Sequence, residues 1–411
     1  MKAASALVGS KPVITGVTPT MRILFVDDES NLLDATRRSL HHMRNEWRME
    51  FVSSGAAALE SLAHEPADVL VSDMRMPGMD GWQLLAEVKK RHPQVIRLIL
   101  SGYADPTSTM RSIGTAHQYL AKPCESATLK AAIAKALLLR TMLSSEHLAQ
   151  LAGNVELLPS TPQAFQEVLT CLQQPNVTVA DAARLIARDV AMTANILKLV
   201  NSAFFGAKQT ISRVDRAIAY LGLDTIGALV LGHSVFNQHE VSRTRGASIG
   251  NLWQHSLQTA AAASAIALCE QYSATSAEEA FLAGLLHDVG KLVFAMKSIN
   301  PLGDADDAQA ATQIELHHAE VGAYLLGLWG FPTSIVEAVA FHHTPSRSLD
   351  TGLGLAGIVH IANSLSYADQ EGGAQGTGKL EVGFLEYRGL LDRLPAWRAA
   401  IGSLRLDQAM S

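Results

Sequence analysis

The spacing of hydrophobic positions changes part-way along this chain, and the change divides it. Up to residue 124, short apolar runs recur at Ile23–Val26, Val69–Ser72, Arg97–Leu100 and Gln118–Ala121, and each reads as a buried strand. Between them, apolar residues at helical spacing predict helices over Asn31–Met43, Ala56–His64, Trp82–Arg91 and Pro106–Ile113. Strands alternating with helices mean a parallel sheet with right-handed crossovers. From Ser126 to about His147 the pattern reads as one helix with no Gly/Ser/Pro-rich tether, a stiff joint that can pass on a rearrangement or pair with a second copy.

Beyond the joint, strand signals stop. Thr161-Pro162 reads as a cap followed by proline at the first helical position. Thr178 with Asp181 reads as a capping box, aspartate standing in for glutamate. Helices are predicted over Met192–Phe205, Arg213–Leu221, Thr225–Phe236, Leu252–Leu268, Glu278–His287, Gln313–Trp329 and Ile335–His343. That is an all-α bundle of short helices. Gly357–Ser366, Leu380–Leu391 and Ala396–Leu404 add helices to it, and Gly372–Gly378 is a glycine-rich loop that lacks the lysine and hydroxyl of a phosphate-binding loop.

Composition narrows the class. With 48% hydrophobic and 18% charged residues over 411 positions, the chain has core enough for two or three folded domains. A net charge of -6 and no basic stripe argue against direct nucleic-acid binding. The scattered Cys124, Cys171 and Cys269 form no framework, which suits a reducing cytoplasm. The most apolar long run, Ala217–Phe236, carries Asp224, His233 and glycine breaks, so it reads as a buried helix pair and not a membrane span. Residues 1–20 read as a flexible leader.

The chemistry gathers at strand ends. Ile23–Val26 runs into Asp27, Asp28 and Glu29; Val69–Ser72 ends at Asp73; Arg97–Leu100 ends at Ser101; Gln118–Ala121 ends at Lys122-Pro123. In open parallel sheets, ligands bind at those carboxyl ends. Three carboxylates brought together repel one another unless a hard cation such as Mg²⁺ sits among them. A carboxylate can also act as a nucleophile and form an acyl phosphate, whose oxygens a lysine and a serine hydroxyl would suit.

The segments VDDE at Val26–Glu29, SDMRMPGMDG at Ser72–Gly81, LSGYAD at Leu100–Asp105 and YLAKP at Tyr119–Pro123 resemble the receiver domain of bacterial two-component response regulators. The resemblance implies a doubly wound five-stranded α/β sheet of strand order 2-1-3-4-5 over residues 21–124, with a final helix from 126. It implies that Asp73 accepts phosphate from a histidine kinase, and that Asp28 and Asp73 hold Mg²⁺ with Asp27 assisting. It also implies that Ser101 and Lys122 read the phosphoryl group and that Tyr119 is the switch aromatic.

After the connector at 125–156, a second set of segments includes LLPSTPQAFQEVL, ARLIARDVAMTANILKLVNSAFFG, LWQHSL, AFLAGLLHDVGKLV, HAEVGAYLLGLWGFP and AVAFHH. They resemble an HDOD domain, an all-α output module related to the HD phosphohydrolases, over 157–345, with a helical extension at 346–411. The ligands of an HD site come from separate helices, and this chain offers His255, His287, Asp288, His318, His342 and His343. Imidazoles with a bridging carboxylate suit two transition metals. Two departures weigh against hydrolysis: Asn363 stands where an HD enzyme would close its site with aspartate, and Thr344-Pro345-Ser346 follow His343 in place of the GYP loop of the cyclic-di-GMP branch. Three readings therefore stand open: histidines hydrogen-bonded to one another, a bound metal without hydrolysis, and a phosphohydrolase. His233 and His239 match nothing, and Arg188-Asp189 and Asn201-Ser202 read as caps and interhelical hydrogen bonds.

The expectation is a cytoplasmic response regulator, more a relay than an enzyme, driven by a sensor histidine kinase and acting on a downstream signalling protein. Mg²⁺ would sit at the receiver, and a second copy of the chain is a candidate partner. The alternative is a phosphorylation-gated HD-type phosphodiesterase acting on a cyclic dinucleotide or nucleotide.

Overall fold

The computed structural model describes residues 21–101, 116–143, 145–155, 158, 162–174, 176–201, 210–223, 225–227, 243–297, 307–348, 350, 352–367 and 380–409. The leader, the helix expected over Pro106–Ile113, the glycine-rich loop, Ser202, His233 and His239 lie outside the described residues.

The first unit is a parallel sheet of order β2-β1-β3-β4-β5 built from β1 (Met21–Val26), β2 (Trp47–Val52), β3 (Val69–Asp73), β4 (Ile96–Ser101) and β5 (Gln118–Ala121). In-register pairs such as Ile23 with Val69 and Ser72 with Ile99 bring the strand ends level, so Asp27, Asp73 and Lys122 share one edge. β2 went unpredicted because it is an edge strand: Arg48 is exposed and Glu50 half-exposed, which breaks the apolar run. Around the sheet lie α1 (Ser30–Ser39), α2 (Gly55–His64) and α3 (Gly81–Arg91). The predicted Asn31–Met43 helix ends early, at Ser39, and a 3₁₀ turn over His41–Met43 follows. Asp80 and Gln83 form a capping box at the start of α3, which sets Gly81 so close to Asp73 that a Cβ there would lie 2.1 Å from its carbonyl oxygen.

The joint is two helices, not one. α4 (Ser126–Met142) stops, Leu143 is extended, and Ser145 caps α5 (Glu146–Gly153) by accepting from Leu148 N. The serine cap turns the chain where apolar spacing alone predicted continuity.

The helical unit comprises α6 (Pro162–Leu172), α7 (Val179–Ile186), α8 (Val190–Val200), α9 (Val214–Leu221), α10 (Arg243–Cys269), α11 (Ala274–Leu286), α12 (Val289–Lys297), α13 (Asp307–Leu328), α14 (Thr333–Phe341) and α15 (Gly354–Tyr367). The Thr178/Asp181 capping box forms, Asp189 caps α8 through Met192 N, and Asn201 brackets the Ile211 backbone from both sides. After them come α16 (Val382–Arg388) and α17 (Leu394–Ala409). The tail is integral to the bundle: Trp397, Phe384 and Leu385 are buried against Ala263 and Ile266 of α10, and Trp397 Nε1 donates to Glu270 at 2.8 Å. Among the described residues no helix is long and apolar enough to cross a membrane.

The two units meet along α4, α5 and the start of β5. Leu139 lies against Gly327, Lys135 Nζ donates to Phe331 O at 2.9 Å, and Gln118 lies beside Gly330. Buried side chains from both units join one continuous apolar cluster, with Val69 and Ile133 on one side and Tyr324 and Phe331 on the other.

Candidate functional site

The receiver edge holds a cation between two carboxylates. Lys122 Nζ lies 2.5 Å from Asp73 Oδ1 and 3.0 Å from Asp27 Oδ2. Asp27 and Asp73 are both buried, whereas Asp28 next door is exposed to solvent. The remaining carboxylate oxygens are held by backbone: Glu29 N donates to Asp27 Oδ1 at 2.9 Å and Arg75 N to Asp73 Oδ2 at 3.0 Å. Burial pushes the Lys122 pKa down, but its bonds to Asp73 and Asp27 outweigh that and raise it, so the ammonium stays charged. Oxygen-only donors at the end of a sheet, one of them facing solvent, fit a hard ion such as Mg²⁺. Ser101 ends β4 opposite Ala121, and Tyr119 is buried in β5.

The second constellation lies in the helical core. His255 comes from α10, His287 and Asp288 from the link between α11 and α12, His318 from α13, and His342 and His343 from the end of α14. All six predicted residues converge. Asp288 is the hub: Oδ2 lies 3.3 Å from His287 Nε2 and 3.8 Å from His255 Nε2, while Oδ1 lies 3.1 Å from His318 Nε2 and 3.8 Å from His342 Nε2. The donor atoms form two groups tight enough for an ion, His255/His287/Asp288 and His318/His342/His343. Asn363 is buried beside His255, so the expected closing position does face the site, carrying an amide.

Which nitrogens face inward follows from the backbone. The Nδ1 atoms of His287, His318 and His342 lie 2.7, 3.0 and 2.7 Å from the carbonyl oxygens of Gly284, Ile314 and Val339. A carbonyl only accepts, so each Nδ1 carries a proton and each Nε2 is the nitrogen turned into the cluster. His318 Nε2 and His342 Nε2 stand 3.3 Å apart. His318 Nε2 also lies 3.0 Å from His343 Nε2 and 3.1 Å from Asp288 Oδ1, so the same inward nitrogens serve hydrogen bonds within the cluster as well as ligation of an ion. Fixing Nδ1 on a backbone carbonyl and aiming Nε2 at a common point is how metal-binding imidazoles are oriented. Burial holds His342 well below the usual histidine range and brings His255 and His343 down to about 4 and about 3, all neutral and able to ligate. Burial opposes ionisation of Asp288, but His287 and Lys291 outweigh it and hold its carboxyl well below its usual range.

Two residues here escaped sequence reading. Lys291 Nζ bridges Asp288 Oδ2 at 3.0 Å and Glu315 Oε1 at 3.2 Å; its place one turn after Asp288 was the available signal. His360 Nδ1 donates to His342 O at 2.8 Å while its Nε2 accepts from Glu381 N at 2.8 Å, so it anchors the backbone of a cluster residue from outside. No spacing rule distinguishes that role.

A family model for the response regulator receiver domain matches residues 23–134, and one for the HDOD domain matches residues 158–345. The chain joins a receiver domain to an HDOD domain. A protein of Treponema pallidum is 28% identical over 234 residues, spanning 54% of this chain and 45% of that protein. The hydrogenase transcriptional regulatory protein HoxA of Cupriavidus necator is 39% identical over 103 residues, 25% of this chain and 21% of HoxA. This chain thus spans less than half the length of either curated relative. Among solved structures, the MmoQ response regulator of Methylococcus capsulatus aligns at 25% identity with a TM-score of 0.44, covering 59% of this chain and 98% of that one.

Proposed function

We propose that this protein is a phosphorylation-controlled regulator whose HDOD domain passes the signal on by contact with another protein. The observation that carries the reading is Lys122 seated between Asp27 and Asp73 at the carboxyl end of the sheet. An Asp73 oxygen attacks the phosphorus of a kinase phosphohistidine; the new O–P bond forms as the P–N bond breaks, and the electron pair leaves with the imidazole. Mg²⁺ held by Asp27, Asp28 and Asp73 would supply charge neutralisation at the phosphoryl oxygens. Lys122 neutralises one oxygen and Ser101 donates to another. A population shift in the receiver then biases the packed helical unit. The setting is the cytoplasm, the upstream partner a sensor histidine kinase, and nucleic acid is not bound directly. Labelling with a phosphorylated kinase or acetyl phosphate tests this: wild type takes up phosphate and Asp73→Asn does not. Equal labelling of both ends the proposal.

The two tight donor groups of the core cluster support a second reading, that the HDOD domain holds a transition metal and is a candidate phosphodiesterase. A bound metal would supply Lewis acidity toward a phosphate ester. Five imidazoles and one carboxylate favour borderline ions such as Zn²⁺, Fe²⁺ or Mn²⁺ over Mg²⁺. Asn363 in place of a charged ligand weakens the hold at the His255 side. Metal content of purified protein and turnover of a cyclic dinucleotide, compared with His287→Ala, separate binding from hydrolysis.

A further inference from the structure

The six cluster residues divide by element in the same way as they divide in space. His318, His342 and His343 all belong to the α13–α14 hairpin, while His255, His287 and Asp288 come from α10 and the α11–α12 link. Asp288 joins the halves, with Oδ1 toward the hairpin and Oδ2 toward the other three-residue group. The closed end of the same hairpin, Gly327 to Phe331, is what the receiver grips through Leu139, Lys135 and Gln118. From Gly327 in that grip His318 is roughly 14 Å away along α13, at 1.5 Å per residue.

The seam between the halves is close-packed. At Gly290 of α12 a Cβ would lie 2.0 Å from His318 O and 2.9 Å from Gly322 N, so two helix backbones touch there, while Val289 and the Lys291–Glu315 pair cross the same seam. α5 packs against both α12 and α13 and so spans this seam. Its last residue, Gly153, is held to the receiver by Arg97 Nη2 at 2.6 Å and by His117 at 3.1 Å.

We propose that the receiver controls how closely the two half-sites meet, by seating the α13–α14 hairpin through Leu139 and Lys135 and spanning the α12–α13 seam with α5. Lys135 and Leu139 are positioning residues for the cluster: they touch none of its donors. This rests on the metal reading above for its function and on the packing alone for its coupling.

The test uses the full chain with Co²⁺ as probe, followed by its visible absorption, alongside amide hydrogen exchange over residues 318–343. Leu139→Ala and Lys135→Met are compared with wild type, each with and without acetyl phosphate and Mg²⁺. Acetyl-phosphate labelling of Asp73 reports that the receiver is folded in every variant. The expected result is a Co²⁺ affinity at least about tenfold weaker in both variants, with faster exchange in the hairpin and undiminished Asp73 labelling (a tenfold change is about 1.4 kcal/mol). Unchanged affinity and unchanged hairpin exchange in both variants would overturn the coupling. If wild type binds no Co²⁺, the metal reading fails, and hairpin exchange alone then decides: acceleration in the variants keeps the coupling, and none removes it.

Discussion

The Arg97 backbone N–H donates to His117 Nδ1 across 3.0 Å, and this one bond fixes which imidazole nitrogen can face the joint. With Nδ1 accepting, Nε2 must carry the proton, and it donates to Gly153 O. Charging His117 would put a proton on Nδ1 directly against the Arg97 N–H. Burial first, and the Arg97 guanidinium second, hold the His117 pKa well below its usual value; Lys198 and Lys89 push the same way, and the Gly153 carbonyl opposes them. Unfolded or undocked, the residue takes a proton below about pH 6.5. The folded state binds fewer protons there, so its stability is present above about 6.5 and falls as pH drops toward the folded pKa. The expected outcome is that wild type loses melting temperature between pH 7 and 5 more steeply than His117→Gln. Parallel acid limbs would show that His117 stays outside the linkage.

At Gly153 a Cβ would stand 2.4 Å from Pro93 O, a backbone atom with nowhere to retreat. Gly153→Ala should therefore push α5 off the receiver, and overpacking of this kind costs ~1–3 kcal/mol. Denaturant unfolding should show that loss. Gly402→Ala makes a control, since nothing lies within 4 Å of its Cβ position, and should leave stability near wild type.

How much of this was legible depended on whether the signal was local. Asp27, Asp73 and Lys122 could be placed together because each ends a strand and a parallel sheet aligns such ends. His255 through His343 could be nominated by residue type, but their division into a hairpin group and a group from α10 and the α11–α12 link needed the packing of α12 on α13. Leu143 and Ser145 show the limit of periodicity: apolar spacing continued where a serine cap turned the chain. His117 and Gly153 were invisible because their meeting joins residues far apart in sequence, through a backbone carbonyl that no residue type announces.

Lys122→Ala should leave Asp27 and Asp73 facing each other without their shared ammonium. Removing one partner of a buried ion pair costs up to ~3–5 kcal/mol, and partial exposure of Lys122 places this site below that range. Mg²⁺ can take the vacated charge role between the two carboxylates. Added MgCl₂ should therefore raise the melting temperature of Lys122→Ala more than that of wild type. An equal rise in both would mean that the ion does not replace the ammonium there.

Asn363→Asp tests the core cluster from its weakest side. Asn363 is 3% exposed and lies beside His255, so aspartate would bury a new charge among the cluster's imidazoles, near Asp288 and the Lys291 already paired with it. Without metal the variant should be less stable than wild type, because an unpaired buried carboxylate is expensive. With Zn²⁺ or Mn²⁺ the order should reverse: an ion bound at 100 times its dissociation constant stabilises by about 2.7 kcal/mol, and the added carboxylate tightens that binding. Melting curves of both proteins with chelator and with each ion decide the matter. If Asn363→Asp is destabilised equally in chelator and in metal, no ion reaches the His255 half of the cluster.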